Sequence, residues 1–248
     1  MRRVAIVPIV AVLLLLSASC RSKEAPPHQP EAASSVTPDS VAPPQPDLPV
    51  PASLERDSRP LIVCFGDSLT AGYGTEAGQA YPDYLQAALD HRGYAYRVVN
   101  AGISGNTTKD GVARVGSVVA MKPSIVVVEF GGNDGLRGLR VADTRSNLDQ
   151  ILSALTTSGT KVVLAGITLP PDYGSDYIQQ FNETYELMAK KFHAPMLPFL
   201  LKGVFGVEGM MQADHTHATS AGNKVVADNV FSLIQPLLKK EAATPSRR

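Results

Sequence analysis

Cysteine is nearly absent from the 248-residue chain, which has only Cys20 and Cys64. Two cysteines make at most one bridge, so a disulfide-framed scaffold is excluded. Four Cys or His ligands at zinc-finger spacing are missing as well. Neither charge sign is in excess: 23 Lys+Arg balance 23 Asp+Glu. No basic field therefore recruits nucleic acid, and there is no acidic tail. No apolar run reaches the roughly 20 residues that a membrane-spanning helix needs. What is present, 44% hydrophobic residues, suffices for one ordinary buried core.

The front of the chain reads as an address followed by a spacer. Arg2 and Arg3 precede an apolar stretch from Val4 to Leu16, interrupted by Pro8, which suits the apolar region of a signal peptide. The small residues Ser17-Ala18-Ser19 lead into Cys20, and this resembles a bacterial lipobox, with Leu16 one step early. The expectation is a leader over 1–19 and a lipid on Cys20, leaving a mature chain of net charge about −2. From Arg21 to Arg59 the prolines recur among Ser, Ala, Gln and Glu, without Phe, Tyr or Trp. Such a segment lacks the apolar bulk to offset its ordering entropy, so residues 20–59 read as a proline-rich tether. Lipid plus tether implies a bacterial cell-envelope location outside the cytoplasm, and Arg21-Ser22 favours the outer membrane. Residues 60–240 remain for a folded domain and 241–248 for a disordered tail. A monomer is the default.

Within 60–240, short β-branched runs alternate with segments of helical spacing. Leu61–Phe65, Tyr96–Val99, Ile125–Phe130, Val162–Ala165 and Met196-Leu197 read as strands. Between and after them, apolar residues fall on one helical face around 84–89, 112–121, 148–155, 177–188 and 225–237. The Tyr177/Phe181/Tyr185 stripe reads as core. Five strand–helix repeats mean an α/β fold, a parallel sheet of about five strands between helical layers. Ligands of such sheets sit at the carboxyl ends of the strands.

Four blocks occupy those ends: Gly66-Asp-Ser-Leu-Thr-Ala-Gly-Tyr-Gly74, Asn100-Ala-Gly-Ile-Ser-Gly-Asn-Thr-Thr108, Gly131-Gly-Asn-Asp-Gly-Leu-Arg-Gly138 and Asp214-His-Thr-His217. Together they supply the parts of acyl transfer. A serine hydroxyl needs an imidazole to take its proton, and the imidazole needs a carboxylate on its other nitrogen. Ser68, His217 and Asp214 fit those roles, Asp214 preceding His217 by three residues. Charge developing on the carbonyl oxygen needs fixed donors. The amides of Ser68 and Gly102 and the side chain of Asn133 are the expected set. In the same loops, Asp67, Leu69, Asp134, Gly135, Leu136 and Pro170 are expected to contact substrate.

These blocks resemble the GDSL, or SGNH, hydrolase superfamily. The Gly66–Gly74 and Gly131–Gly138 stretches and Leu169-Pro-Pro-Asp-Tyr-Gly174 are similar to its bacterial thioesterase I/lysophospholipase L1 and arylesterase branch. The likeness covers about residues 60 to 238. It implies Ser68 as nucleophile, Gly102 and Asn133 as oxyanion donors, and Asp214 and His217 completing the triad. It also implies a flavodoxin-like three-layer α/β/α fold and hydrolysis of small acyl esters and thioesters with no metal or organic cofactor. Two departures stand out. Asp214-His-Thr-His-Ala218 replaces the usual Asp-Gly-Ile-His-Pro, and Asn106 stands where aspartate is frequent. The three-residue spacing assigns the base to His217 over His215.

Other readings of the same residues are weaker. A phosphate-cradling first loop leaves Asn133 and the Asp214/His217 pair without a role. His215-Thr-His217 with Asp214 has the look of a metal set, but no further histidine cluster accompanies it. Ala218–Gly222 nearly matches a nucleophile elbow, yet lacks the preceding apolar strand, so Ser220 reads as helix-capping. Arg137 and Arg140 read as solvated loop residues. Two functional alternatives stay open: O-acetyl removal from envelope polysaccharide, and a non-catalytic envelope binding module.

Overall fold

The structure, a computed structural model, describes residues 57–240. The expected leader, the lipidation site Cys20, nearly all of the tether and the 241–248 tail lie outside the described residues.

Five parallel strands form one sheet: β1 (Leu61–Gly66), β2 (Arg97–Gly102), β3 (Ile125–Glu129), β4 (Lys161–Ala165) and β5 (Met196–Leu197). Their spatial order is β2-β1-β3-β4-β5, the flavodoxin-like winding, with the switch point between β1 and β3. In register, Gly66 lies beside Gly102 on one side and Glu129 on the other. β1 and β3 are buried along their whole length, which is why both read as unbroken apolar runs rather than alternating ones. Each fully buried Val, Leu or Ile side chain contributes roughly 1.5–3 kcal/mol. Cys64, in the middle of β1, is one of these core residues, and burial pushes its thiol up to about 12.

Helices cover the sheet: α1 (Ser68–Ala71), α2 (Tyr81–His91), α3 (Thr108–Ala120), α4 (Gly132–Leu136), α5 (Val141–Thr157), α6 (Ser175–Phe192) and α7 (Ser220–Ile234). α2 packs on α7, while α3, α5 and α6 pack in series. The sequence pattern locates all five strands and long helices but not α1 or α4, each under two turns and too short to show a period. It also stops β2 at Val99, whereas pairing with β1 carries it on to Gly102. α3 starts where Asp110 Oδ2 accepts the amide of Thr107 at 2.8 Å, satisfying an orphan donor of the helix N-terminus. The aromatic stripe of α6 is core for Phe181 and Tyr185, while Tyr177 is only half-buried.

Candidate active site

The first crossover turn after β1 positions the serine. Asp67 caps α1, its Oδ1 accepting the amide of Leu69 at 3.1 Å, so the chain turns at once into a helix beginning at Ser68. The side chain of Ser68 meets His217, with Oγ 2.8 Å from Nε2. On the other ring nitrogen, Nδ1 lies 2.7 Å from Asp214 Oδ2. With Nδ1 donating to the carboxylate, Nε2 accepts the serine proton. Asp214 Oδ1 also accepts the amides of Thr216 and His217, each at 3.0 Å. Burial alone raises the Asp214 carboxyl, but these amides and the imidazole outweigh it and hold the group at about 2.

The turn bearing Asp214 and His217 is fastened at several points. Met211 bridges Ala218, and Gln212 donates its amide to the carbonyl of His217 at 2.8 Å. Gln212 Nε2 then reaches the carbonyl of Tyr73 at 2.7 Å, tying this turn to the serine turn. The Tyr73 ring lies 4.7 Å from the His217 ring. His215, in the middle of the turn, has φ +54°, a left-handed conformation that costs a residue with a Cβ.

Asn133 arrives from the other side of the switch point. Gly131 takes φ +118°, and a Cβ there would sit 2.3 Å from the Tyr185 hydroxyl, so only glycine turns the chain here into α4. Asn133 Nδ2 donates to the carbonyl of Asn106 at 2.9 Å and to Asp67 Oδ2 at 3.2 Å. Asn133 also lines the cavity in front of Ser68, and the longer of these two bonds, to Asp67, is the one whose hydrogen a substrate oxygen could share.

Gly102 does not serve as expected. Its amide is spent on Asn100 Oδ1 at 2.9 Å, and it does not line the cleft. A Cβ on Gly102 would sit 2.2 Å from the Ala71 nitrogen, so its glycine lets β2 and α1 approach each other. The glycine that does line the cleft is Gly105, three residues on, with φ +83°. The amides of Gly105 and Ser68 have no acceptor among the described residues. The Gly105 carbonyl accepts from Arg137 Nη2 at 3.0 Å.

In front of Ser68 opens a cavity of about 320 Å³ with mostly apolar walls, including Leu69, Leu136, Ile167, Leu169, Pro170 and Phe199. Of the residues expected to touch substrate, Leu69, Leu136 and Pro170 line it, and Asp67 reaches its floor. Asp134 and Gly135 do not. Asp134 is buried, its carboxylate bonded to the amide and hydroxyl of Thr108, so it joins α4 to α3. Gly135 packs against Leu169, which a Cβ would meet at 2.5 Å. Ser220 Oγ lies 2.6 Å from the Tyr84 hydroxyl at the start of α7, far from an elbow geometry. Among the described residues, no group of three or more His, Cys, Asp or Glu is arranged to hold a metal ion.

Two buried groups beneath the site escaped the sequence reading. Glu129, at the end of β3, is fully buried; its Oε2 accepts from Thr70 Oγ1 at 2.8 Å and from the Asp67 amide at 3.3 Å. Its Oε1 has no partner among the described residues. Burial, reinforced by the charge of Asp67, pushes Glu129 well above the usual carboxylate range. Burial likewise pushes Asp67 up to about 6, against the bonds from the Leu69 amide and Asn133 and the field of His217. Arg114 of α3 is the second group. It donates to Asn106 Oδ1, the Ala101 carbonyl and the Gly66 carbonyl at 2.7–2.8 Å, and lies 4.6 Å from the Phe65 ring. Signals for both were available: a lone acid in Ile125-Val-Val-Val-Glu129, and an arginine on the Gly111/Val115/Val118 face of a helix.

Comparison with known proteins agrees with this architecture. Residues 64–225 match the GDSL-like lipase/acylhydrolase family. The chain is 43% identical over 178 residues to esterase TesA of Pseudomonas aeruginosa, covering 71% of this chain and 89% of that protein. It is 36% identical over 182 residues to thioesterase 1/protease 1/lysophospholipase L1 of Escherichia coli, covering 73% and 86%. With the arylesterase of Vibrio mimicus it shares 34% over 180 residues, covering 72% and 90%. The crystal structure of TesA superposes with a TM-score of 0.69 over 72% of this chain and 99% of that one. AlinE4, an esterase of the SGNH-hydrolase family, gives 0.61 at 38% identity, over 72% and 94%. By sequence and by fold, the chain belongs to the GDSL-like lipase/acylhydrolase family.

Proposed function

We propose that the chain is a serine esterase that hydrolyses acyl esters and thioesters, including lysophospholipid-like ones. The observation that carries this is the run of contacts from Ser68 Oγ through His217 to Asp214, opening on an apolar cavity. Ser68 Oγ attacks the acyl carbonyl as His217 Nε2 takes its proton, and Asp214 stabilises the imidazolium. Negative charge gathers on the carbonyl oxygen, where the amides of Ser68 and Gly105 and the side chain of Asn133 receive it. Gly105 takes the role first expected of Gly102, because its amide is free and Gly102's is not. His217 returns the proton to the departing alkoxide or thiolate, and a water activated by the same imidazole clears the acyl-serine. In that second half the water gives its proton to His217 as its oxygen bonds to the acyl carbon, and His217 passes the proton to Ser68 Oγ as the carboxylic acid leaves.

The cavity falls within the roughly 300–1,000 Å³ of small-molecule sites. Its apolar walls favour an acyl chain over an acetylated glycan. Names borne by relatives, esterase, thioesterase, lysophospholipase and arylesterase, point the same way. The leader and Cys20 support a lipid-anchored place in the bacterial envelope, where the membrane is met through that anchor and the protein acts as a monomer. The test is turnover of p-nitrophenyl esters and acyl thioesters of graded length, beside acetylated glycans, by the parent and by Ser68→Ala. Ser68→Ala should fold, lose turnover and lose labelling by a fluorophosphonate. Undiminished hydrolysis by that variant removes Ser68 from the mechanism, and a parent that the probe does not label speaks for a binding module instead.

A further inference from the structure

Large apolar side chains are scarce on the surface, and their placement is uneven. Among the described residues, Tyr73, Leu136, Leu139, Leu187, Phe205 and Val207 are exposed, from 39% to 55%. Tyr73, Leu136 and Phe205 line the cavity in front of Ser68. Leu139 follows Leu136 by three residues and Val207 follows Phe205 by two, while Leu187 is on α6. The Leu136–Leu139 rim is held in place, since the Tyr173 hydroxyl donates to the Leu136 carbonyl at 3.0 Å and the Tyr177 hydroxyl to the Leu139 carbonyl at 2.7 Å. Leu139 and Val207 are not part of the cavity lining.

We propose that the rim of the cavity is a membrane-docking surface: it seats on a bilayer containing anionic lipid, so that acyl substrates enter the cavity from the lipid phase. Exposed apolar patches rimmed by polar residues mark interaction sites, and three features select a lipid surface as the occupant here. First, Tyr73, Leu136 and Phe205 are both exposed and part of the cavity lining, so one contact serves both docking and delivery of the acyl chain. Second, Arg137 and Arg140 alternate with the two exposed leucines in Leu136-Arg-Gly-Leu-Arg140, and Arg140 is 81% exposed at its side chain. Arg137 Nη2 donates to the Gly105 carbonyl, and Arg140 stands 3.9 Å from Asp143 with both side chains exposed, so Arg140 offers an accessible cation to an anionic interface beside the apolar side chains. Glu208, next to Val207, is the acidic residue of the Phe205–Glu208 stretch. Third, the sequence puts 36 residues, 21–56, between Cys20, the expected lipidation site, and the described domain. That length lets the domain lie with its cavity on the membrane that carries its own anchor.

The proposal rests on the esterase reading for the identity of the entering chain, and the experiment separates the two. The protein is residues 20–248 with Cys20→Ser, which removes the expected leader and lipid and keeps the rest of the chain. Sedimentation is measured with vesicles of phosphatidylcholine alone and with a third phosphatidylglycerol, alongside turnover of a soluble p-nitrophenyl ester. The parent should sediment with the mixed vesicles. The double variant Leu139→Ser/Val207→Ser should bind them roughly tenfold more weakly, keep its rate on the soluble ester, and lose rate on vesicle-borne lysophospholipid. Arg140→Ser should weaken binding to the mixed vesicles but not to neutral ones. Equal vesicle binding by parent and double variant overturns the proposal, as does a parent that binds neither vesicle. Binding that depends on Arg140 and not on the apolar pair also overturns it, leaving only charge attraction. A parent that docks but hydrolyses no soluble ester refutes the esterase reading and leaves the surface standing.

Discussion

Replacing Glu129 by Gln tests the electrostatics beneath the nucleophile. The carboxyl is fully buried and faces a second buried carboxyl, Asp67; among the described residues its Oε1 has no hydrogen-bond partner. An ionised Glu129 would lack compensation, so the folded protein keeps it protonated. The unfolded chain releases that proton near the ordinary value of 4.5. Above that pH the native state therefore holds one more proton than the unfolded state, and each further unit costs the parent about 1.4 kcal/mol of stability until the raised native value is passed. Glutamine is neutral throughout and escapes this slope. Near pH 5, Glu129→Gln should lie within roughly 1 kcal/mol of the parent, since the amide keeps an acceptor for Thr70 and offers its NH₂ toward Asp67. From pH 5 to 7 the variant should gain on the parent by up to about 1.4 kcal/mol per unit. Asp67, itself raised to about 6, interacts directly with Glu129, so its slope keeps the same sign in both proteins but changes in size with the substitution. The assay is urea unfolding followed by circular dichroism at half-unit pH steps. A gap that stays constant, or that shrinks as pH rises, would mean that Glu129 is ionised in the fold, and the argument fails.

Three further outcomes follow from the site. Asp214→Asn should lower kcat by roughly 10²–10⁴ with KM little changed, because the imidazole loses the partner that sets its tautomer; a loss under tenfold would demote Asp214. Since Asp214 is held at about 2, its deprotonated form and the stability it confers persist down to about pH 4 and are lost only as pH falls through the folded value, which acid unfolding of the parent against Asp214→Asn can follow. Gly105→Ala should keep the fold yet cost turnover, since it strains a φ of +83° and shifts an amide whose equivalents contribute about 2.7–4 kcal/mol elsewhere. Gly102→Ala should instead lower Tm, as its Cβ strikes α1, and reversed phenotypes would restore Gly102 to the oxyanion site. Arg114→Met should destabilise by roughly 3–5 kcal/mol, because two backbone carbonyls and Asn106 lose a buried cationic donor; a change under 1 kcal/mol in urea unfolding would contradict that.

Much of this arrangement was legible before any coordinate. The β-branched runs announce buried parallel strands, and their glycine-rich exits announce where chemistry collects, because a strand buried on both faces admits little but apolar residues. Ser68, Asn133, Asp214 and His217 were readable because each is a polar residue at a strand exit or a turn, with a chemical reason to be there. Gly102 and Gly105 were not distinguishable: both follow β2, and only the path of the backbone shows which amide Asn100 consumes. Asp134 read as a substrate contact because it adjoins Asn133, yet the helical turn of α4 sends it inward to Thr108. Glu129 and Arg114 were overlooked because a charged residue inside an apolar pattern reads as noise until its acceptors are seen.

The turn from Met211 to Ala218 carries both His217 and the carboxylate bonded to its Nδ1, so their mutual alignment is a local matter of a few bonds. Ser68 comes from 149 residues away and is met only when that turn is seated, through Gln212, on the carbonyl of Tyr73. That bond lies outside the five-stranded sheet, so under the proposed esterase reading its loss would be felt in turnover before it was felt in the stability of the scaffold.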